Sequence, residues 1–128
     1  MLKITLSCFA DCDIIIILKN GAKEKQRSFV GIYYESSNFD GKPSYKTDDL
    51  AIWYNKEANV WFIGKHENLG SLKGGIFAVD EFGGLTDEKN VWKYWNGDEW
   101  KTAGSNEITV GCESGNSQFL LNSIKYLA

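Results

Sequence analysis

Histidine, proline and methionine each occur once in 128 residues. Each shortage excludes something. With His66 as the sole imidazole, any Ser–His or Cys–His catalytic arrangement has one base to draw on. His66 lies in the polar run Lys65-His66-Glu67-Asn68, where a surface histidine is the plainer reading. No Gly-x-Ser-x-Gly elbow, phosphate-binding loop or His-Glu-x-x-His pair occurs, and Gly111-Cys112-Glu113-Ser114-Gly115 only looks like a motif. One proline and no low-complexity tract argue against disorder. Length leaves room for one hydrophobic core, so one domain over 1–128 is expected.

Concentrated positive charge is also missing. The densest basic run, Lys23, Lys25 and Arg27, encloses Glu24, and the net charge is −3. A nucleic-acid binder carries a basic stripe to neutralise phosphates; neither nucleic acid nor an anionic membrane is an expected partner. Long apolar runs are absent too. Ile14 to Leu18 is five residues, against about 20 for a membrane-crossing helix, so no membrane insertion is expected. Met1 to Ala10 resembles a signal sequence only superficially, because Ser7, Cys8, Asp11 and Asp13 interrupt its apolar residues. No Asn-x-Ser/Thr sequon occurs. These features favour an intracellular protein.

Cysteine is scarce and odd in number: Cys8, Cys12 and Cys112. An odd count speaks against a disulfide framework. Cys8-x-x-x-Cys12 supplies two candidate metal ligands with no nearby partner to complete a tetrahedral site. Three reduced, buried thiols are the expectation, with one disulfide plus a leftover thiol as the alternative. Neither a metal nor a cofactor is predicted.

Aromatic residues are abundant, at 14%, with Trp53, Trp61, Trp92, Trp95 and Trp100 among them. Runs of β-branched and aromatic residues recur between Gly, Asn and Asp, the pattern of an all-β antiparallel sandwich or barrel. Strands are expected at Lys3–Phe9, Asp13–Lys19, Phe29–Glu35, Ser44–Lys46, Leu50–Tyr54, Val60–Gly64, Gly75–Val79, Val91–Trp95, Trp100–Thr102 and Glu107–Cys112. Gln118–Leu127 has the apolar spacing of a short C-terminal helix, with a terminal strand as the alternative. The unbroken Ile14–Ile17 run implies burial on both faces or a packed subunit contact.

Asn20-Gly21 and Asn96-Gly97 offer the positive φ angles of tight hairpins. Asn55-Lys56-Glu57-Ala58 reads as a polar turn opposing Trp53 to Val60 and Ile52 to Trp61. Strand side chains alternate with period two. Trp61 therefore shares a face with Ile52, Tyr54 and Ile63, and Trp53 lies on the other with Val60 and Phe62. By the same parity Trp95 and Trp100 share a face for either even loop length. The predicted core contains Trp61, Ile52, Ile63, Tyr33, Ile15, Ile17 and Val110.

Gly31-Ile-Tyr33, Asp40-Gly41-Lys42-Pro43-Ser44-Tyr45, Ile52-Trp53-Tyr54, Trp61-Phe62-Ile63-Gly64, Trp92-Lys93-Tyr94-Trp95 with Trp100, and Ile108-Thr109-Val110 follow one another in order. This series resembles a loosely defined small Trp/Tyr-rich eukaryotic β module, written G-x-Y, nGrPvY, ylYy, W-x-I-G, W-x-Y, W. The resemblance implies a small aromatic β fold and carries no assigned activity or catalytic residue. The chain departs from the pattern in the long Lys65–Gly75 loop, and Leu85-Thr86-Asp87 stands where Thr-Pro-Asp is expected.

Four carboxylate pairs, Asp48-Asp49, Asp80-Glu81, Asp87-Glu88 and Asp98-Glu99, sit at predicted turns or strand ends, where solvation accounts for them better than glycoside hydrolysis or calcium binding. No catalytic residue is assigned. The candidate ligand-binding set is Trp95, Trp100, Asn96, Asp98 and Lys93, because rings beside amide, carboxylate and ammonium groups suit a glycan or a protein surface. The expectation is a non-catalytic binding module for a protein, a glycan or a copy of itself. A structural subunit of a larger assembly is the alternative, and a hydrolase the weakest reading.

Overall fold

The computed structural model describes residues 12–113; the strand expected at residues 3–9 and the element at 118–127 lie outside them. The described residues form β1 (Ile14–Leu18), α1 (Asn20–Gln26), a 3-10 turn (Arg27–Phe29), β2 (Gly31–Phe39), β3 (Lys42–Thr47), β4 (Leu50–Asn55), β5 (Val60–Lys65), a second 3-10 turn (His66–Asn68), β6 (Ile76–Val79), β7 (Trp92–Trp95), β8 (Trp100–Thr102) and β9 (Ile108–Cys112). The strands make one sheet in the order β8-β7-β6-β5-β4-β3-β2-β1-β9, with every pairing antiparallel. The class is all-β, realised as a single sheet curled into a half-barrel.

The curl follows from the core. Ile14, Ile16 and Leu18 of β1, Tyr33, Tyr45, Ile52, Trp61, Ile63, Ile76, Trp92 and Tyr94 along the meander, and Ile108 and Val110 of β9 pack into one cluster. Side chains from both ends of a nine-stranded sheet meet only if the sheet wraps around them. Ala22 of α1 and Phe29 enter the same cluster from the open side. β2 pairs with β1 through Gly31–Tyr33 and with β3 further on, and its register shifts between Glu35 and Asn38. A bulge there bends the strand and raises its twist.

The outer face carries a smaller cluster of Ala51, Trp53, Val60 and Phe62 with Phe39, Leu69 and Phe77. Residues 66–75 fold across it as a strap. Trp53 Nε1 donates to the Ser71 carbonyl at 3.1 Å, and Asn55 Nδ2 to that of Gly70 at 3.2 Å. Glycine at position 64 is a packing requirement, since a Cβ there would lie 2.8 Å from Gly74 Cα. The long loop that breaks the motif series thus buries Trp53.

The β4–β5 hairpin pairs Trp53 with Phe62, Tyr54 with Trp61 and Asn55 with Val60. This register is displaced by two residues from the expected one. An even displacement preserves every face, so Trp61 still joins Ile52, Tyr54 and Ile63 while Trp53 joins Val60 and Phe62. Asn20-Gly21 needs a larger correction. Asn20 has the expected positive φ of 53°, yet the chain enters α1 rather than a hairpin. Both neighbours of β1 are already taken, by β2 and β9. Glu107 receives the turn instead, its Oε2 accepting from Ala22 N at 2.9 Å and its carbonyl from Lys19 N at 2.8 Å.

The isoleucine run divides by parity. Ile14 and Ile16 face the core, Ile15 is buried on the other side, and Ile17 is half-exposed. The expectation of a buried Ile17 is therefore corrected, because its neighbour on β9 is exposed Thr109.

The expectation of reduced thiols is overturned as well. Cys12 and Cys112 form a disulfide with Cα atoms 5.6 Å apart across 100 residues of sequence. The pairing of β9 with β1 brings them together at the Ile14–Cys112 end of the ladder. Asp13 reinforces this corner, its Oδ1 accepting from Glu35 N and its carbonyl from Glu113 N. Cys8 lies outside the described residues.

Tyr33 is fully buried and donates its hydroxyl to the Phe29 carbonyl at 2.8 Å. Burial pushes its ionisation well above the usual tyrosine range. Tyr94 is pushed up too, by burial first and then by the charge of Glu107. A raised folded-state pKa contributes stability that is full below the unfolded value near 10 and is lost as pH climbs past it. Denaturant midpoints should therefore fall between about pH 9 and about pH 11, and fall less steeply in Tyr33→Phe. An equal slope in the variant would remove Tyr33 as a source of alkaline sensitivity.

Candidate functional site

The β7–β8 hairpin turns through a four-residue loop that opposes Trp95 to Trp100. Its chemistry is an Asx turn. Asn96 Oδ1 accepts the backbone N–H groups of Asp98 and Glu99 at 2.8 and 2.9 Å, Asn96 N donates to the Glu99 carbonyl at 3.1 Å, and Gly97 takes φ 109°. Asn96, expected among the ligand-binding residues, thus spends its amide oxygen on the turn. Asn96→Ala should cost about 1 kcal/mol through lost turn hydrogen bonds, read from equilibrium urea unfolding.

The two indoles meet edge to face, with centroids 5.4 Å apart and planes at 67°. Each is more than one-third exposed. Trp100 continues into Phe77 at 4.7 Å, Phe77 into Phe62 at 5.4 Å, and Phe62 into Trp53 at 6.0 Å. Five rings thereby run along the outer face, from buried Trp53 under the strap to the open hairpin. Gln26 Nε2 of α1 donates to the Trp95 carbonyl at 2.7 Å, and Trp95 N to that of Gly75 at 2.9 Å. These bonds hold the backbone beneath the indoles.

Lys93 lies opposite Phe77 on one side and Thr102 on the other, so its stem shares the outer face with both tryptophans. Asp98 is exposed at the loop tip. The structure therefore brings Trp95, Trp100 and Lys93 onto one surface, leaves Asp98 at its rim and gives Asn96 to the turn. Sequence reasoning missed Val79 and Val91. Val79 is opposite Val60 on the outer face, Val91 has the parity of Lys93 and Trp95, and the two are 43% and 49% exposed. The signal was the Phe77-x-Val79 alternation in β6, which continues the apolar outer face beyond the strap.

The other candidates resolve into structure. Asp48-Asp49 and Asp40-Gly41 form the tight β3–β4 and β2–β3 turns, with Asp40, Gly41 and Asp48 at positive φ. Asp80 accepts from Trp61 Nε1 at 3.2 Å and pairs with Lys42 at 3.8 Å, and Lys42 Nζ stands 4.9 Å from the Tyr54 ring centroid. This joins the turn motif to the core tryptophan. His66 opens the second 3-10 turn. Among the described residues no three His, Cys, Asp or Glu side chains converge as a metal-ligand set, and no helix is long and apolar enough to cross a membrane. No family model, curated protein or solved structure matches the chain.

Proposed function

We propose that this protein is a non-catalytic binding module whose binding face is the outer surface of β6, β7 and β8. The observation that carries the reading is the exposure of Val79, Val91, Trp95 and Trp100 on one side of the sheet, with Phe77 and Lys93 between the valines and the tryptophans. Apolar surface gathered in this way marks an interaction site more often than scattered exposed residues do. The face lies outside the curl and its exposed side chains are large and apolar, which suits the surface of a protein partner. Tryptophan at the centre of such a patch supplies large contact area. The resemblance to a Trp/Tyr-rich module without assigned chemistry fits the same reading.

A glycan is the second ligand this face admits, because indole surface lies beside Lys93 and Asp98 and sugars stack on such rings. A glycan array and a partner pull-down, run in parallel on the wild type and Trp100→Ala, test both. Loss of a ligand at an unchanged melting temperature supports the site. A ligand retained by Trp100→Ala, or none on either panel, returns the pair to stabilising the hairpin, a contribution of about 0.5–1.5 kcal/mol.

A further inference from the structure

The half-barrel leaves a seam. Among the described residues its two edge strands are β8 and β9, and these do not pair with each other. A cleft of about 480 Å³ follows the free side of β9, lined by Ile108, Thr109, Val110 and Gly111 and by residues 86–88, 90–92 and 103–106. That volume lies within the range of about 300–1,000 Å³ found for small-ligand sites.

The phase of the ladder shows what β9 offers to this cleft. Lys19 N donates to the Glu107 carbonyl and Glu113 N to that of Asp13, in register with the pairs from Ile14–Cys112 to Leu18–Ile108. Hydrogen-bonded and non-hydrogen-bonded pairs alternate in an antiparallel ladder. Thr109 and Gly111 therefore turn their peptide groups to β1, whereas Ile108 and Val110 turn theirs to the cleft. These N–H and C=O groups have no hydrogen-bond partner among the described residues, although both side chains are buried in the core. An edge anchored by its own core and by the Cys12–Cys112 bond, whose cleft-facing peptide groups are unpaired among the described residues, is a template for a strand.

We infer that this seam is a second binding site, which takes an extended peptide by strand addition to β9. Main-chain bonds to Ile108 and Val110 supply the affinity. The titratable groups lining the cleft are Asp87 and Glu88, both acidic, so the peptide recognised best carries a lysine or arginine facing them. This site is independent of the tryptophan face. It lies along the other edge strand, and of the residues named for that face only Val91 also lines the cleft.

Residue-resolved amide hydrogen exchange on the full chain tests the inference. The probe is a capped Thr-Val-Lys-Val-Lys-Thr peptide, with its Glu-for-Lys counterpart as control. In the free protein the Ile108 and Val110 amides should exchange fast and that of Thr109 slowly. The lysine peptide should slow Ile108 and Val110 by at least about tenfold while leaving Thr109 unchanged, and the glutamate peptide should have a weaker effect. Val110→Pro removes one donor from the free edge, where proline is tolerated, and should abolish the slowing. Val110 is also a core residue, so Glu88→Lys, at an exposed position, provides a test that does not strain the fold. It should reverse the preference between the two peptides. Slow exchange of Ile108 and Val110 in the free protein would mean the edge is already occupied, by the chain itself or by a second copy, and would overturn the inference. So would protection confined to the tryptophan face, or none with either peptide.

Discussion

Trp61→Ala is expected to lower the unfolding free energy by about 3–5 kcal/mol, as large aromatic truncations in a core do. Trp61 is 3% exposed and packs on Tyr54 with ring centroids 5.4 Å apart. Its Nε1 also donates to Asp80. The substitution therefore removes apolar burial, opens a cavity and strips Asp80 of a donor. Asp80 keeps Lys42 as a partner, which confines the damage mainly to packing. Domains of this kind are stable by about 5–15 kcal/mol in all, so the loss is a large share of the total. Trp61→Phe should recover part of it, since one ring of the indole is replaced while the second ring and the N–H are lost. Equilibrium denaturation reads both. A Trp61→Ala midpoint near the wild-type value would take Trp61 out of the core.

Cys112→Ser is expected to cost about 2–5 kcal/mol, by release of a constraint on the unfolded chain. The Cys12–Cys112 bond closes a loop across 100 residues, for which the chain-entropy account gives about 4.7 kcal/mol. Cys12→Ser and the double variant should lose the same amount, because each breaks one bond. A thiol reagent added in denaturant without reductant should find at most one reactive cysteine of the three. Recovery of all three would remove the bond and its stabilisation together. Disulfides persist in oxidising compartments, so the bond weighs against the intracellular setting expected from the N-terminal residues.

The strand positions were readable because alternation is a local property. Ile52, Tyr54, Trp61 and Ile63 could be placed on one face from spacing alone, even though the hairpin register itself lay two residues away. Trp95 and Trp100 were placed together for the same reason, and both are exposed. Asn96 was read both as a turn former and as a ligand-binding residue, and the hydrogen bonds its Oδ1 accepts from Asp98 and Glu99 account for the first of these roles. Val79 and Val91 were missed because exposure depends on where the strap ends.

By itself the sequence determined the all-β class, the approximate positions of β1 to β9, the turn at Asn96-Gly97 and the relative faces of Trp53, Trp61, Trp95 and Trp100. Steric preferences of neighbouring residues encode all of these within a few positions. The tertiary structure decided that β9 returns to β1 and joins Cys12 to Cys112, that residues 66–75 cover Trp53, that Asn20-Gly21 opens a helix, and that among the described residues β8 and β9 stay apart. These outcomes depend on which distant surfaces bury one another. That choice is made by burial summed over the whole chain and leaves no period in the sequence.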